Sequence, residues 1–304
     1  MKRPESLEIY QPTSIQEACQ IVNKNGPGGH FLAGGTDLVI AIKEKGWVPR
    51  YIVDLKRIPS MSGIRENADG SLSIGALTTM REVEISPLIQ KSYPFLAQSA
   101  AEVGSIQIQN RATIGGNMAN ATPSADTAPA LLALDTDVRI SGESNERTVR
   151  LEEFFVGPGK TILKPDEILT ELIIPAHPTS LRGEYIKFSP REMMDLAYVG
   201  VAVALVLDKN RRVEHARIVL GAVAPTPLRA RNAEAVLAGQ VLTEELAAQA
   251  GETAAKESKP ISDVRSSAEY RREMVRVNTT RALLNAASER WRPTTWLERR
   301  DRRY

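Results

Sequence analysis

Two long apolar runs in the second half of the chain constrain its fold most. They cover Val199 to Leu207 and Val213 to Val223, are rich in β-branched residues and are separated by the turn residues 208–210. Such runs predict two strands of a hairpin. The residues that follow show three helical patterns, at about 229–239, 243–257 and 267–288. Strands followed by helices, without regular alternation, favour an α+β fold over a doubly wound sheet.

The first half of the chain predicts a separate arrangement of strands and helices. Residues 1–55 indicate a small α/β unit, with one helix near 15–25 and strands at 31–33 and 51–55. Beyond it, residues 61–76 predict a hairpin, and helical patterns follow near 79–85, 93–103 and 126–135. Pro175 to Ser180 is typical of a linker. We therefore expect a domain at 1–177 (subdomains about 1–55 and 56–177), a second at 178–288, and a basic tail at 289–304.

Composition limits the functions open to this chain. Its 304 residues carry a formal net charge of +2, which gives no overall attraction to nucleic acid or to an anionic membrane. The first residues are polar and no apolar run approaches about 18 residues, so we expect a cytoplasmic protein without membrane insertion. With one cysteine, Cys19, and three histidines far apart in sequence, we expect no metal held by this chain.

A double-glycine segment follows the strand predicted at Phe31-Leu32-Ala33. It reads Gly34-Gly35-Thr36-Asp37-Leu38 and leads into a helical pattern. Adjacent glycines let the backbone approach a ligand and direct several N–H groups at one anion. The segment is neither the dinucleotide-binding G-x-G-x-x-G pattern nor a Walker loop. Taken alone, it is more often a tight strand-to-helix turn.

A second double-glycine segment, Thr113-Ile114-Gly115-Gly116-Asn117, strengthens the case for a ligand. Two anion-binding loops on neighbouring subdomains would suit a dinucleotide with two phosphates. Asp126 follows closely, and its carboxylate is better suited to accept hydrogen bonds from ribose, ribityl or ring N–H groups than to meet a phosphate. A helix N-cap or first-turn acid is the alternative interpretation of Asp126, and the residue could have both roles.

Together, these two segments resemble the paired FAD loops of the flavin subunits of molybdenum hydroxylases, the medium subunits of carbon monoxide dehydrogenase and bacterial xanthine dehydrogenase. The resemblance extends from about residue 5 to residue 287. It includes the family's K-x-x-x-R-x-x-x-D-x-A pattern at Lys187, Arg191, Asp195 and Ala197. Further similar segments are 121–126, 155–160, 166–169 and 262–271.

The resemblance implies an FAD-binding domain of the PCMH type, built from two α/β subdomains. A C-terminal domain with a small antiparallel sheet and a helical bundle would follow it. By position, Ala33 to Leu38 and Thr113 to Asn117 would hold the diphosphate, largely through backbone N–H groups, and Asp126 would accept hydrogen bonds from the cofactor. Leu169 and Lys187 would lie near the flavin, and the segment 188–198 would shape access to it. The cofactor-binding residues implied in this way are Phe31, Leu32, Ala33, Gly34, Gly35, Thr36, Asp37, Leu38, Thr113, Ile114, Gly115, Gly116, Asn117, Asp126, Leu169 and Lys187.

Several of these assignments keep an alternative. Without the resemblance, Lys187 would be interpreted as a surface lysine at a strand edge, and Arg191 with Asp195 as an i,i+4 surface ion pair. The chain also departs from the family, because Gln109 stands where an arginine is usual; Arg111 could substitute for it. The loop 190–195 is unusually rich in methionine. The electron acceptor of this protein therefore cannot be inferred from the acceptors of its relatives.

The resemblance implies a three-part enzyme. A molybdopterin large subunit oxidises the substrate, a [2Fe-2S] small subunit relays electrons, and this chain collects them on FAD and passes them to NAD or another acceptor. FAD carries the chemistry, so no catalytic residue is expected here.

The segments 157–160 and 224–229 favour the xanthine dehydrogenase branch over the carbon monoxide branch. The flavin subunit of another aromatic or aldehyde hydroxylase is a further alternative. A stand-alone flavin oxidase and a non-catalytic assembly module are the other hypotheses. The basic tail is interpreted either as disordered or as a docking segment for a partner subunit.

Overall fold

The computed structural model describes residues 7–44, 48–191 and 194–288. The first unit is a three-stranded parallel sheet with two helices. Its elements are β1 (Glu8–Tyr10), α1 (Ile15–Asn25), β2 (Gly29–Leu32), α2 (Leu38–Glu44) and β3 (Tyr51–Asp54), with β3 between β1 and β2. Ser14 caps α1 by accepting the N–H of Glu17 at 3.2 Å. Gly26, at φ 71°, ends that helix in a conformation that glycine adopts without strain.

The second unit is a five-stranded antiparallel sheet covered by short helices. Its strands are β4 (Ile64–Glu66), β5 (Leu72–Gly75), β6 (Asp137–Ser141), β7 (Glu146–Arg150) and β10 (Ile168–Ile174), in the order β4-β5-β10-β6-β7. A two-stranded ribbon, β8 (Phe155–Gly157) and β9 (Lys160–Thr161), lies outside this sheet. The helices are α3 (Met80–Ile85), α4 (Pro87–Ser92), α5 (Pro94–Ala101), α6 (Ile106–Gln109), α7 (Ile114–Asn120), α8 (Thr127–Ala133) and α9 (Leu151–Phe154).

The last unit is a four-stranded antiparallel sheet followed by three helices. The strands run in chain order, β11 (Arg182–Phe188), β12 (Val199–Leu207), β13 (Val213–Gly221) and β14 (Leu228–Arg229), and the helices are α10 (Arg231–Leu237), α11 (Glu244–Glu257) and α12 (Ala268–Ala287). The predicted hairpin and the three predicted helices are these elements. The α+β prediction is therefore confirmed.

The apolar character of β12 follows from burial on both of its faces. Ala202, Ala204 and Val206 belong to the core shared with the first two units. The alternate residues, among them Val203 and Leu205, belong to a second core formed with the helices α10 to α12. A strand covered on both sides has no polar face, which explains why its sequence does not alternate. The last sheet is thus packed between the rest of the chain and its own helices.

Two local predictions were wrong. The helix α4 was not expected, although Ser86 caps it and Pro87 occupies its first turn, as is usual for a helix start. Residues 114–117 were expected in a loop but form the first turn of α7, with Thr113 as its N-cap. Two adjacent glycines disfavour a helix by propensity alone, and close packing against the neighbouring backbone overrides that preference here. The predicted tail 289–304 lies outside the described residues.

Candidate functional site

A cleft of about 890 Å³ lies between the first and second units. Both double-glycine segments line it, and so do Asp126 and Leu169. Its volume lies in the range of sites that enclose organic cofactors. Of the 16 residues expected to bind a cofactor, 13 line this cleft: Phe31, Ala33, Gly34, Gly35, Thr36, Asp37, Leu38, Thr113, Gly115, Gly116, Asn117, Asp126 and Leu169.

The first double-glycine segment offers unused backbone donors. It connects β2 to α2, and Gly35 adopts φ 81° within it. From Gly34 to Leu38, five consecutive N–H groups have no hydrogen-bond acceptor within the described residues, whereas the next, Val39, donates to the carbonyl of Gly35 at 3.0 Å. Backbone N–H groups that converge on a cleft are suited to bind an anion such as a diphosphate.

Each double-glycine segment lies close to residues that flank the other one. A Cβ atom on Gly34 would collide with the backbone carbonyl oxygen of Arg111, and one on Gly116 would lie 3.6 Å from the Cβ of Ala33. Glycine at position 34 is therefore required by this close approach. The contact brings the segments together as two walls of one cleft.

The second segment differs from the expectation that its backbone N–H groups face a ligand. The N–H groups of Ile114 and Gly115 donate to the carbonyls of Thr78 and Ala76, both at 2.9 Å. The N–H of Gly116 donates to the Thr113 hydroxyl at 3.1 Å. These donors are used internally because the segment begins a helix that is anchored beside β5. Its glycines instead provide a close approach, since a Cβ on Gly115 would overlap Ala76.

Asp126 lies in the cleft wall between the cleft and β11. Its Oδ1 accepts a hydrogen bond from the Tyr185 hydroxyl at 2.8 Å, and its Oδ2 accepts one from the Lys187 ammonium at 3.0 Å. Burial raises the pKa of Asp126, while Lys187 and Tyr185 act in the opposite direction. Asp126 occupies the N-cap position of α8 but makes no capping hydrogen bond there. Asp126 therefore stands at the N-cap position that the alternative interpretation gave it, but its carboxylate accepts hydrogen bonds from Tyr185 and Lys187 and does not cap the helix.

Lys187 is not the surface lysine of the alternative interpretation. Its side chain is only 4% exposed, and its ammonium also donates to the Glu102 carbonyl at 2.9 Å. Its contact with the cleft is indirect, through Asp126, because the residue itself does not line the cavity. Leu32 and Ile114 do not line the cleft either, and Ile114 is fully buried in the core.

The segment 188–198 does reach the cleft. Asp195 and Leu196 line it, together with Met194, whose N–H donates to the Gly104 carbonyl at 3.1 Å. Arg191 and Asp195 form the expected i,i+4 ion pair at 3.6 Å. Asp195 is nevertheless more than a surface partner, because the residue also lines the cleft. Residue 193, one of the methionines of this loop, lies outside the described residues.

Several cleft residues were missed by reasoning from the sequence. They are scattered residues, most of them apolar, whose positions carry no motif. They include His30, Leu55, Met61, Leu77, Val103, Gly104, Ile108, Asn120 and Leu163. Within the described residues no lysine or arginine lines the cleft. The groups of the described lining that are suited to hold an anion are therefore N–H groups and hydroxyls. A metal site is not found in the described ranges either, since they contain no cluster of three potential ligands.

Gln109, the departure from the family pattern, has a structural role. Its side chain is 4% exposed, and its Nε2 donates to the carbonyls of Ala101 and Val103, at 2.7 and 3.2 Å. It thereby fixes the turn between α5 and α6. Arg111 is exposed beside Gly34 and does not occupy the position of Gln109.

Two family models match the chain and cover most of it. Residues 5–177 match the FAD binding domain in molybdopterin dehydrogenase, and residues 184–286 match the CO dehydrogenase flavoprotein C-terminal domain. The chain belongs to this family. It is an FAD-binding flavin subunit of a molybdenum hydroxylase complex, an oxidoreductase.

Individual relatives agree with this assignment along the whole chain. The carbon monoxide dehydrogenase medium chain of Hydrogenophaga pseudoflava is 34% identical over 93% of this chain and 98% of its own length. A putative xanthine dehydrogenase FAD-binding subunit of Escherichia coli is 31% identical over 92% of this chain and 95% of its own. A chain in a solved structure of the Hydrogenophaga pseudoflava enzyme superposes with a TM-score of 0.89 at 34% identity, covering 94% of this chain and 98% of that one. The predicted family, fold and cofactor are confirmed. No helix of the described residues is long and apolar enough to span a bilayer.

Proposed function

We propose that this flavin subunit is the electron-output component of a heterotrimeric complex in the cytoplasm. Its partners would be a molybdopterin large subunit and a [2Fe-2S] small subunit. We expect no nucleic-acid partner. FAD would supply the electron transfer between the iron–sulfur clusters of the small subunit and NAD or another acceptor. The single cysteine of the chain supports this division of labour, because clusters bound by several thiolates must lie on another chain.

The observation that carries the proposal is the row of free N–H groups from Gly34 to Leu38 along the cleft. We assign the diphosphate of FAD to these donors, since no cationic side chain of the described residues lines the cleft. The second segment, Thr113 to Asn117, would form the opposite wall through its glycines. Asn117 is oriented by the Thr127 hydroxyl, which donates to its Oδ1 at 2.8 Å, and its Nδ2 remains available to a ligand.

The remaining cofactor contacts follow from position. Asp126 and Leu169 line the cleft and would meet the ribityl chain or the flavin ring. Lys187 would act from behind Asp126, with which it forms a buried ion pair. The domains would divide at 177/178, as the sequence predicts. No side chain needs to act as acid, base or nucleophile, because the role of the protein is to bind and orient FAD.

The branch of the family is proposed on narrower grounds. Segments 157–160 and 224–229 favour a xanthine dehydrogenase-like complex. A carbon monoxide dehydrogenase-type complex or another aromatic or aldehyde hydroxylase complex is the alternative. Identities of 34% to the carbon monoxide dehydrogenase relative and 31% to the xanthine dehydrogenase relative are too close to separate these two branches. Substrate is selected on the partner subunit, so this chain bears on the choice only weakly.

Purification of the full chain tests the proposal. We expect a yellow protein with flavin absorption, or a colourless one that becomes yellow when FAD is added. NADH should bleach the absorption anaerobically if NAD is the acceptor. A protein that neither carries nor takes up FAD would refute the proposal. A tagged chain expressed from its native host should also retain a molybdenum and an iron–sulfur subunit on affinity resin.

A further inference from the structure

Tyr185 lies behind the cofactor cleft and contacts the acid that lines it. It is on β11, two residues before Lys187, so both side chains project from the same face of the strand. Both reach the carboxylate of Asp126, at 2.8 Å from the hydroxyl and 3.0 Å from the ammonium. The strand belongs to the last sheet, whereas Asp126 belongs to the unit that forms the cleft wall. The last sheet therefore supplies both donors to an acid of the cleft.

The two donors leave part of the Asp126 carboxylate free. Each of its oxygens accepts one hydrogen bond from β11, while an ionised carboxylate has about four acceptor sites. Asp126 lines the cleft, so we assign the remaining sites to hydrogen bonds from a ligand there. A carboxylate held at only one oxygen could rotate about its last torsion, which has a broad energy minimum. Two donors on different oxygens fix its plane.

The Tyr185 ring is itself held rigidly. Tyr185 is 1% exposed, and its backbone N–H donates to the Oε1 of Gln98 at 3.4 Å. Its hydroxyl lies above Gly200 of β12, where a Cβ atom would stand 3.1 Å from it. A glycine at this position therefore leaves space for the hydroxyl. Tyr185 is thus placed by both its own strand and the adjacent one.

The charged and titratable groups around Asp126 are few. Lys187 and Tyr185 face it from β11, and Glu102, after α5, acts on Tyr185. Burial raises the pKa of Tyr185 well above its ordinary value, so this phenol remains a neutral donor. Burial also raises the pKa of Asp126, which makes the two donors important for keeping it ionised.

We propose that Tyr185 is a positioning residue that fixes the Asp126 carboxylate in the orientation in which it accepts hydrogen bonds from FAD. This inference rests on the proposed binding of FAD in the cleft. It gives the last sheet a part in cofactor binding, although only Asp126 touches the cleft. Replacing the hydroxyl removes a hydrogen bond to a charged acceptor but keeps the ring that fills the core.

Tyr185→Phe tests the inference in the full-length protein. The apoprotein is titrated with FAD, and the quenching of flavin fluorescence gives the dissociation constant across a pH series. We expect about tenfold weaker binding at neutral pH, the effect of losing one charge-assisted hydrogen bond. As the pH falls, the variant should also lose affinity at a higher pH than the wild type, since Asp126 takes up its proton sooner without this donor.

Tyr93→Phe is the matched control. Tyr93 is a buried tyrosine of the same core whose hydroxyl donates to the Pro175 carbonyl at 3.4 Å, outside the cleft. The Tyr93→Phe variant should be slightly less stable than the wild type and should keep the wild-type dissociation constant for FAD at every pH. If Tyr185→Phe behaves like this control, with lower stability but unchanged FAD affinity at every pH, the inference is overturned and the proposed function stands. If the wild-type apoprotein does not bind FAD, both are overturned.

Discussion

Asp135 and Arg217 form a two-oxygen ion pair between the second unit and the last sheet. The Arg217 Nε lies 3.1 and 3.0 Å from the two carboxylate oxygens, and its Nη2 lies 2.9 Å from one of them. Arg150 approaches the same carboxylate at 3.1 Å and Arg229 at 3.8 Å. Asp135 follows α8, and Arg217 is on β13. One carboxylate therefore connects the cleft-forming part of the chain to the sheet that carries Tyr185 and Lys187.

Replacing Asp135 should weaken this connection. Asp135 adopts φ 50°, a left-handed conformation that asparagine tolerates as well as aspartate does. Asp135→Asn therefore removes the charge without adding backbone strain. Because charge-assisted hydrogen bonds to arginine are lost, we expect the free energy of unfolding to fall by about 2 kcal/mol, measured by urea denaturation.

Glu152→Gln provides the control for that measurement. Glu152 forms an ion pair with Arg231 at 2.7 Å, also between the second and last units, but both side chains are largely exposed. Exposed pairs contribute little, so this variant should change stability by less than about 1 kcal/mol. Equal effects of the two substitutions would show that Asp135 has no special role between these units.

The same carboxylate should make stability depend on acid pH. Burial opposes its ionisation, but the hydrogen bond and charge of Arg217, with Arg150 and Arg229, hold the pKa of Asp135 below its ordinary value. Because its pKa is lower in the folded state than in the unfolded chain, ionised Asp135 stabilises the fold at pH values above the unfolded-state pKa of about 3.9. This stabilisation is lost as the pH falls through the folded-state pKa. The difference in unfolding free energy between wild type and Asp135→Asn should therefore shrink below about pH 4. A difference that stays constant down to pH 2 would contradict this assignment.

Gly34→Ala should damage the cleft directly. The added methyl would collide with the Arg111 carbonyl, so one of the two glycine-containing walls must move. Overpacking of this kind costs about 1–3 kcal/mol, and we expect FAD affinity to fall at least tenfold as the free N–H groups shift. Gly157→Ala is the control, because a Cβ there meets nothing within 4 Å and the position has no positive φ. It should bind FAD like the wild type in the same fluorescence titration.

Much of this architecture could be predicted from the sequence because its signals are local. The hairpin of β12 and β13 and the helices α10 to α12 follow from apolar runs and periodicity. The glycine pairs indicated a ligand because a backbone without Cβ atoms permits close approach. Most of the expected residues indeed line one cleft.

Other features depend on contacts that no local pattern contains. The donors at Gly115 and Gly116 were expected to be free, but the Ala76 carbonyl and the Thr113 hydroxyl accept their hydrogen bonds. The sequence around Lys187 does not predict its burial, because its ion pair with Asp126 joins residues 61 positions apart. Tyr185 was not singled out for the same reason. Such contacts arise only when the last sheet packs on the cleft wall.

Thr113 gives a test of how the second wall works. Its hydroxyl caps α7 by accepting the Gly116 N–H at 3.1 Å. Thr113→Val keeps the shape but removes the acceptor, which should cost about 1 kcal/mol of stability, whereas Thr113→Ser should behave like the wild type. We expect FAD affinity to fall in the valine variant, because the first turn of α7 forms the wall. Tighter binding would instead indicate that the released Gly116 N–H contacts the diphosphate directly.

Cys19, the single cysteine, should report on the opening of the first unit. It is fully buried on α1, with its Sγ 4.0 Å from the Ser141 carbonyl, and burial raises the pKa of its thiol to about 11. The thiolate is the reactive form, and with such a pKa only about one thiol in a thousand is ionised at pH 8. A thiol reagent should therefore label the native protein far more slowly than the urea-unfolded chain. Because α1 packs against β3 of the sheet whose strand β2 leads into Gly34, FAD should slow the labelling further in the wild type but not in Gly34→Ala. Rapid labelling of the native wild type would contradict the buried position of Cys19.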